Sequence, residues 1–248
     1  MSRVIEVVER YIVPDIPEID LPGEDGIPLE TNWHRIQINL LVDSTRQHWH
    51  GRTDFFAGGN MFIYYSLRQA RSKDYKGPDF FVVKDVDGTR DRPAWITWEE
   101  DGRLPDVIVE LLSPSTAAED LGTKKDLYER TFKTPEYFCY NPDTRELLGW
   151  QLEKQRYVPL QPSARGHLWS EQFQVWLGLW EGDYEGIQAT WLRFHDAAGR
   201  LLPTGEEAER RRAEAEHQRA EAERQRADAA EAELVRLRAE LERRSRDG

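Results

Sequence analysis

The chain has 248 residues, 39% hydrophobic and 32% charged, and 46 acidic against 34 basic side chains give it a formal net charge of −12. No apolar run approaches the roughly 18 residues that a membrane-spanning helix needs, no long apolar stretch of a secretory signal is visible, and one cysteine, Cys139, can form neither an internal disulfide nor a cysteine-based zinc site. A reducing cytoplasm is therefore the expected location, and the acidic balance argues against a broad nonspecific nucleic-acid surface.

Residues 1–29 are rich in Pro, Gly and acids and read as a loop-like lead-in. Trp33, Ile36, Leu40, Leu41 and Ser44 then recur at helical spacing, which predicts an amphipathic helix over 30–49. The middle of the chain reads as strands at 60–67, 79–85 and 106–112, each short, β-branched or aromatic, and bounded by Gly, Pro or Asp. The stretch TRDRPAWITWEEDGRL between the last two reads as loop. Ser115 or Thr116 can cap a helix in which Leu121, Lys124, Leu127 and Tyr128 keep a helical period to about Phe132. Strands follow at 136–141, 147–153 and 156–160, and 186–196 reads as the last element of a hairpin.

Composition changes at Pro203–Gly205. The remaining stretch to Arg246 has no Pro, Gly or aromatic residue. Ala213, Ala220, Ala227, Leu234 and Leu241 recur every seven residues, while Glu216, Glu223, Ala230 and Leu237 fill the second seam, so the last two heptads have the pattern of a coiled coil and the earlier ones do not. Residues 206–247 are accordingly expected to form a charged helix that pairs two copies of the chain; a solvated single helix is the other reading.

No P-loop, dinucleotide-binding glycine motif, nucleophile elbow or H-E-x-x-H is present. Of six histidines only His48 and His50 are close in sequence, and a helix would set them about 200° apart, so a histidine-based metal site is not expected. What remains is carboxylates on strands. Glu110 sits inside DVIVELL, where an unpaired charge would cost several kcal/mol, so a cation, a proton or a metal must compensate it. Asp79 opens a strand after Gly77–Pro78. Asp106 lies four residues before Glu110, and strand alternation puts both on one face. Lys124 follows Glu110 on the next helix and can fold back toward the strand end. Carboxylates and a lysine converging on a strand edge are the minimal equipment for metal-assisted phosphodiester hydrolysis: hard oxygen ligands hold Mg²⁺, the ion activates water, and the lysine steadies the developing charge.

The segment GPDFFVV together with LPDVIVELLSPSTAAEDLGTKKDLYERTFKTPEYFCYNPDTRELLGW resembles the Uma family of restriction-endonuclease-like proteins, a branch of the PD-(D/E)XK nuclease superfamily. The resemblance extends over roughly residues 30–200 and is most specific from Pro105 to Pro142. It implies an α/β restriction-endonuclease-like domain over 30–202, a mixed sheet flanked by helices, with the C-terminal helical extension behind it. It also implies a DNA substrate and Mg²⁺ or Mn²⁺ as cofactor. Asp79 and Glu110 match the two acidic positions and would be metal ligands. The superfamily's usual lysine lies two residues after the second acid, where this chain has Leu112, and Lys124 stands in for it. Glu30 and Asp106 are further candidate ligands. Arg68, Arg71, Lys73 and Lys76 are candidate DNA-facing cations. Lys125 is the less favoured lysine, and Asp120 either pairs with Lys124 along the helix or orients it. Tyr128 and Tyr137 read as packing residues, and Ser113, Ser115 and Thr116 as turn and cap residues. Two rival functions fit the same residues: a catalytically silent nuclease fold that serves as a binding or assembly module, and a carboxylate glycosidase using the tryptophans between Trp169 and Trp191.

Overall fold

Phe80–Lys84 and Val107–Leu111 are nearly unbroken apolar runs because the sheet they build is covered on both faces. The computed structural model describes residues 31–72 and 77–246. In chain order these form helix α1 (Asn32–His48), strands β1 (Phe55–Gly58) and β2 (Ile63–Tyr64), helix α2 (Leu67–Ser72), β3 (Phe80–Lys84), β4 (Trp95–Ile96), β5 (Val107–Leu111) and a helical run over 117–132, here α3. There follow β6 (Glu136–Asn141), β7 (Glu146–Glu153), β8 (Arg156–Pro159), β9 (Leu168–Ser170), β10 (Val175–Tyr184), β11 (Ile187–His195) and the long helix α4 (Gly205–Arg246).

The main sheet has the order β1-β3-β5-β6-β7-β8, with β5 and β6 parallel and the other pairs antiparallel. A parallel pair requires a crossover, and α3 supplies it. One face of the sheet, through Phe80, Val82, Val109 and Phe138, packs against Ile38 and Leu41 of α1 and against Leu177, Leu192 and Phe194 of a smaller sheet ordered β11-β10-β9. The opposite face, through Phe81, Val83, Ile108 and Cys139, packs against Tyr128 and Phe132 of α3 and Trp95 of β4. Each large side chain buried here contributes about 1.5–3 kcal/mol relative to exposure. The result is the mixed α/β layering expected from the sequence.

Helix α1 begins where Thr31 accepts the His34 backbone N–H at 3.3 Å, and it buries Ile36, Leu40 and Leu41 as its periodicity requires. Its Gln37 is buried and does the work of a strand. The side-chain amide donates to the Leu192 carbonyl at 3.0 Å, and its oxygen accepts the Leu192 N–H at 2.8 Å, covering part of the open edge of β11. Replacing Gln37 with Leu strands both backbone groups and is expected to lower stability by about 2 kcal/mol or more in urea unfolding; a change under 0.5 kcal/mol would show the edge to be satisfied otherwise.

Two stretches differ from the sequence expectation. The strand expected over 60–67 shrinks to Ile63–Tyr64, because the chain bends at Asn60 (φ 49°), whose N–H donates to the carbonyls of Pro78 and Asp79. Residues 89–104, expected as loop, contain β4, where Trp95 is fully buried and its ring N–H donates to the Arg103 carbonyl at 2.9 Å. The lead-in expected at 1–29 lies outside the described residues. No helix of the described residues is long and apolar enough to cross a membrane.

Helix α4 starts with a reciprocal cap: Glu207 N–H donates to the Thr204 hydroxyl at 3.2 Å, and Thr204 N–H donates to the Glu207 carboxylate at 2.9 Å. Glu207 also pairs with the buried Arg193 at 2.7 Å, and Asp43 of α1 accepts the Gly205 N–H at 2.8 Å. Among the described residues Ala208 is the last buried one of the helix, and from Glu209 onward every described position is exposed.

Candidate active site

The pairing of β3 with β5 sets Phe80 opposite Val109, and one further step along that register sets Asp79 opposite Glu110. The two acids are cross-linked through the backbone. Asp79 N–H donates to Glu110 Oε2 at 3.2 Å, and Leu111 N–H donates to Asp79 Oδ2 at 2.7 Å. Neighbours on the sheet bury Glu110 completely. Its Oε1 accepts from Lys124 Nζ at 3.2 Å and from the Tyr128 hydroxyl at 2.8 Å. Lys124 in turn pairs with the buried Asp120 at 2.8 Å.

Helix α3 brings three residues four apart onto one site, and its geometry explains how. In a regular α-helix, residues eight apart drift by about 80°. Here Asp120–Lys124 and Tyr128–Phe132 are π-helical, separated by the single α-turn Lys125–Leu127. Turns closed by i→i+5 bonds are wider and absorb the drift, so Asp120, Lys124 and Tyr128 all converge on Glu110. The run ends at Lys133, which adopts a left-handed conformation (φ 55°). Its start is set by Ser113, whose hydroxyl accepts the Thr116 N–H at 3.2 Å; Thr116 occupies the cap position without capping through its own side chain.

Glu110 and Asp120 thus share the Lys124 ammonium, with Asp79 linked to Glu110 beside them. Burial, with Asp79 and Asp120 adding to it against the pull of Lys124, pushes the Glu110 carboxyl up to about 8. Burial likewise raises Asp79, despite the Leu111 N–H and Lys124. Burial alone would lower Lys124, but Glu110 and Asp120 outweigh it and hold the ammonium above the usual lysine range. Among the described residues no group of three or more His, Cys, Asp or Glu already forms a metal-coordinating cluster. The donor chemistry nevertheless suits a hard divalent cation: carboxylate oxygens in a buried centre where, once all three carboxyls are ionised, negative charge exceeds that of Lys124.

The other sequence candidates fall elsewhere. Asp106 lies at the far end of β5, about 13 Å along the strand from Glu110 at 3.3 Å per residue, and accepts the Lys84 N–H at 2.7 Å. Alternation gives it the same face as Glu110 but not the same place, so it is not brought to the site. Glu30, Lys73 and Lys76 lie outside the described residues. Arg68 and Arg71 are on α2. Lys125 points away, its ammonium 3.8 Å from the centre of the Trp150 ring. Tyr137 donates to the Asp120 carbonyl at 2.8 Å and so holds the first wide turn against β6. Trp191 is fully buried and stacked on Trp33, which removes it from any sugar-binding surface.

Two residues escape the sequence reading. Tyr128 reads as core, and its burial is that of a core residue, yet its hydroxyl is a ligand of Glu110. His34 is buried on α1, its Nδ1 against the Thr31 hydroxyl at 2.8 Å and its Nε2 without a partner among the described residues. It lines a groove of about 460 Å³ with Thr31, Leu112, Ser113, Pro142 and Arg145, two residues beyond Glu110 along the chain. The spacing of four in Asp120, Lys124 and Tyr128 was the available signal for the first; nothing in the sequence marks the second.

The family model of Uma2, described as a putative restriction endonuclease, matches residues 19–180. The chain belongs to the Uma2 family. The Uma2 match takes in Asp79, Glu110, Asp120, Lys124 and Tyr128, and membership gives the chain a nuclease assignment in general terms. Among solved structures, a putative nuclease belonging to DUF820 from Anabaena variabilis is similar to this Uma2 chain at 13% identity and a TM-score of 0.43, over 59% of this chain and 76% of that one. No curated protein matches it.

Proposed function

We propose that this Uma2 protein is a Mg²⁺-dependent endonuclease that hydrolyses DNA phosphodiester bonds. The observation that carries the proposal is the meeting of Asp79, Glu110 and Asp120 around Lys124, whose ammonium pairs with Glu110 and Asp120. Asp79 and Glu110 would hold the ion. Bound there, a divalent ion supplies charge for the phosphate oxygens and lowers the pKa of water. Hydrolysis adds water across one P–O bond, and the chain's own groups serve it in distinct ways. Lys124, held by Glu110 and Asp120, presents positive charge to the negative charge that develops on phosphate. Tyr128 fixes the Glu110 carboxylate by donating to it. The assay is relaxation of supercoiled plasmid with Mg²⁺, with Mn²⁺ and with EDTA. No relaxation under any divalent condition rejects the proposal.

Tyr128→Phe keeps the ring that packs on Phe132 and Tyr137 and removes only the hydroxyl. Loss of such a supporting partner typically costs about 10–100-fold in metal affinity or activity, and a fall of that size is expected in plasmid relaxation. Unchanged rates and unchanged Mg²⁺ affinity would make Tyr128 a packing residue alone.

A second reading has its own observation. Both Glu110 oxygens are already bonded within the chain, to Asp79 N–H, Lys124 and Tyr128. A fold that retains this network for stability alone would be a silent binding or assembly module. Calorimetric titration with Mg²⁺ separates the two, since a silent module takes up no ion that depends on Glu110.

A further inference from the structure

We propose that the C-terminal half of α4 is the docking surface for a second copy of this chain, joined as a parallel two-stranded coiled coil over residues 227–241. Helix α4 runs 42 residues, about 60 Å at 1.5 Å each, and among the described residues only its first turn is held by the rest of the molecule. Most of it has no reason to display large apolar groups. Yet Leu234, Leu237 and Leu241 stand 56%, 48% and 66% exposed, and with Ala227 and Ala230 they form one continuous a/d seam.

Charge names the occupant. With Leu234 and Leu241 at a and Leu237 at d, the g positions are Arg226 and Glu233, and the e positions are Glu231 and Arg238. In a parallel pair each g side chain faces the e position five residues on in its partner. Arg226 then meets Glu231, and Glu233 meets Arg238, in both directions across the twofold axis. Both contacts join opposite charges. The next pair toward the N-terminus sets Arg219 against Arg224, like against like, and there the seam itself is broken by Glu216 and Glu223 at d. The apolar seam and the complementary charges therefore begin and end together. A helix presenting this stripe to solvent or to an unrelated partner has no need for that agreement; a helix meeting its own copy does.

Sedimentation equilibrium of the full chain from about 1 to 100 µM tests the proposal. Expected is a mass that rises with concentration from one chain to two. Leu237→Asp should raise the dimer Kd at least tenfold, and Glu231→Arg should weaken it while the double variant Arg226→Glu with Glu231→Arg restores it. Leu241→Cys should cross-link to itself under oxidation, as only the parallel register allows, because Cys139 is buried. A monomer throughout, a dimer indifferent to Leu237→Asp, a charge swap without rescue, or no Leu241→Cys cross-link in a sample that is dimeric overturns it. Circular dichroism on each variant confirms that α4 remains helical, so a lost dimer is not a lost helix.

Discussion

Glu110→Gln is expected to abolish Mg²⁺-dependent plasmid relaxation, by at least about 10²–10³-fold, while leaving the fold in place. The side chain keeps its shape and one oxygen that can still accept from Tyr128 or Lys124, but it can no longer bring a negative charge to the site. Wild type and variant compared by circular dichroism and by relaxation rate decide the matter; equal rates would end the assignment. A pH dependence follows from the same residue. Burial pushes the Glu110 carboxyl up to about 8, so below that pH the ion must displace a proton to bind. Apparent Mg²⁺ affinity is therefore expected to rise with pH toward about 8 and then level off.

Lys124→Met tests the charge balance directly. It removes the ammonium that Glu110 and Asp120 share and leaves two fully buried carboxyls, with Asp79 beside them, uncompensated. Breaking a buried ion pair from one side costs about 3–5 kcal/mol, and a loss of that order is expected in urea unfolding with EDTA present. Added Mg²⁺ should return part of it, because an ion that binds only the folded chain stabilises it by about 2.7 kcal/mol at a hundred times its Kd. A loss under 1 kcal/mol without metal would show that the carboxyls are neutralised by protons, with Lys124 a bystander.

Much of the architecture was legible because the chain's physics is local there. The acid in DVIVELL stood out against apolar neighbours, and its burial between two covered faces bears out the demand for compensation. The same reading misplaced Asp106, because a face is not a position: alternation fixes which side of the sheet a residue occupies and says nothing of the distance along it. Strand β1 was hidden by the turn residues after it, Gly58, Gly59 and Asn60, and β4 by a Pro two residues before Trp95, while β2 was read as a strand but too long. The convergence of Asp120 and Tyr128 was half legible: the spacing of four joins each to Lys124 but does not by itself bring the two ends together. A sequence read with a 3.6-residue period puts those two on diverging sides of a helix, and only wider turns bring them back.

Those wider turns tie the fate of three side chains together. Each π-turn holds one residue more than an α-turn would, so losing a single codon within 121–123 would let the helix relax to its ordinary pitch while its ends still reached β5 and β6. Lys124 and Tyr128 would then swing away from Glu110 together, and Phe132, which packs on Tyr128 beneath the sheet, would have to shift with them. In this chain the length of one short crossover, as well as the identity of its side chains, sets whether those three groups meet.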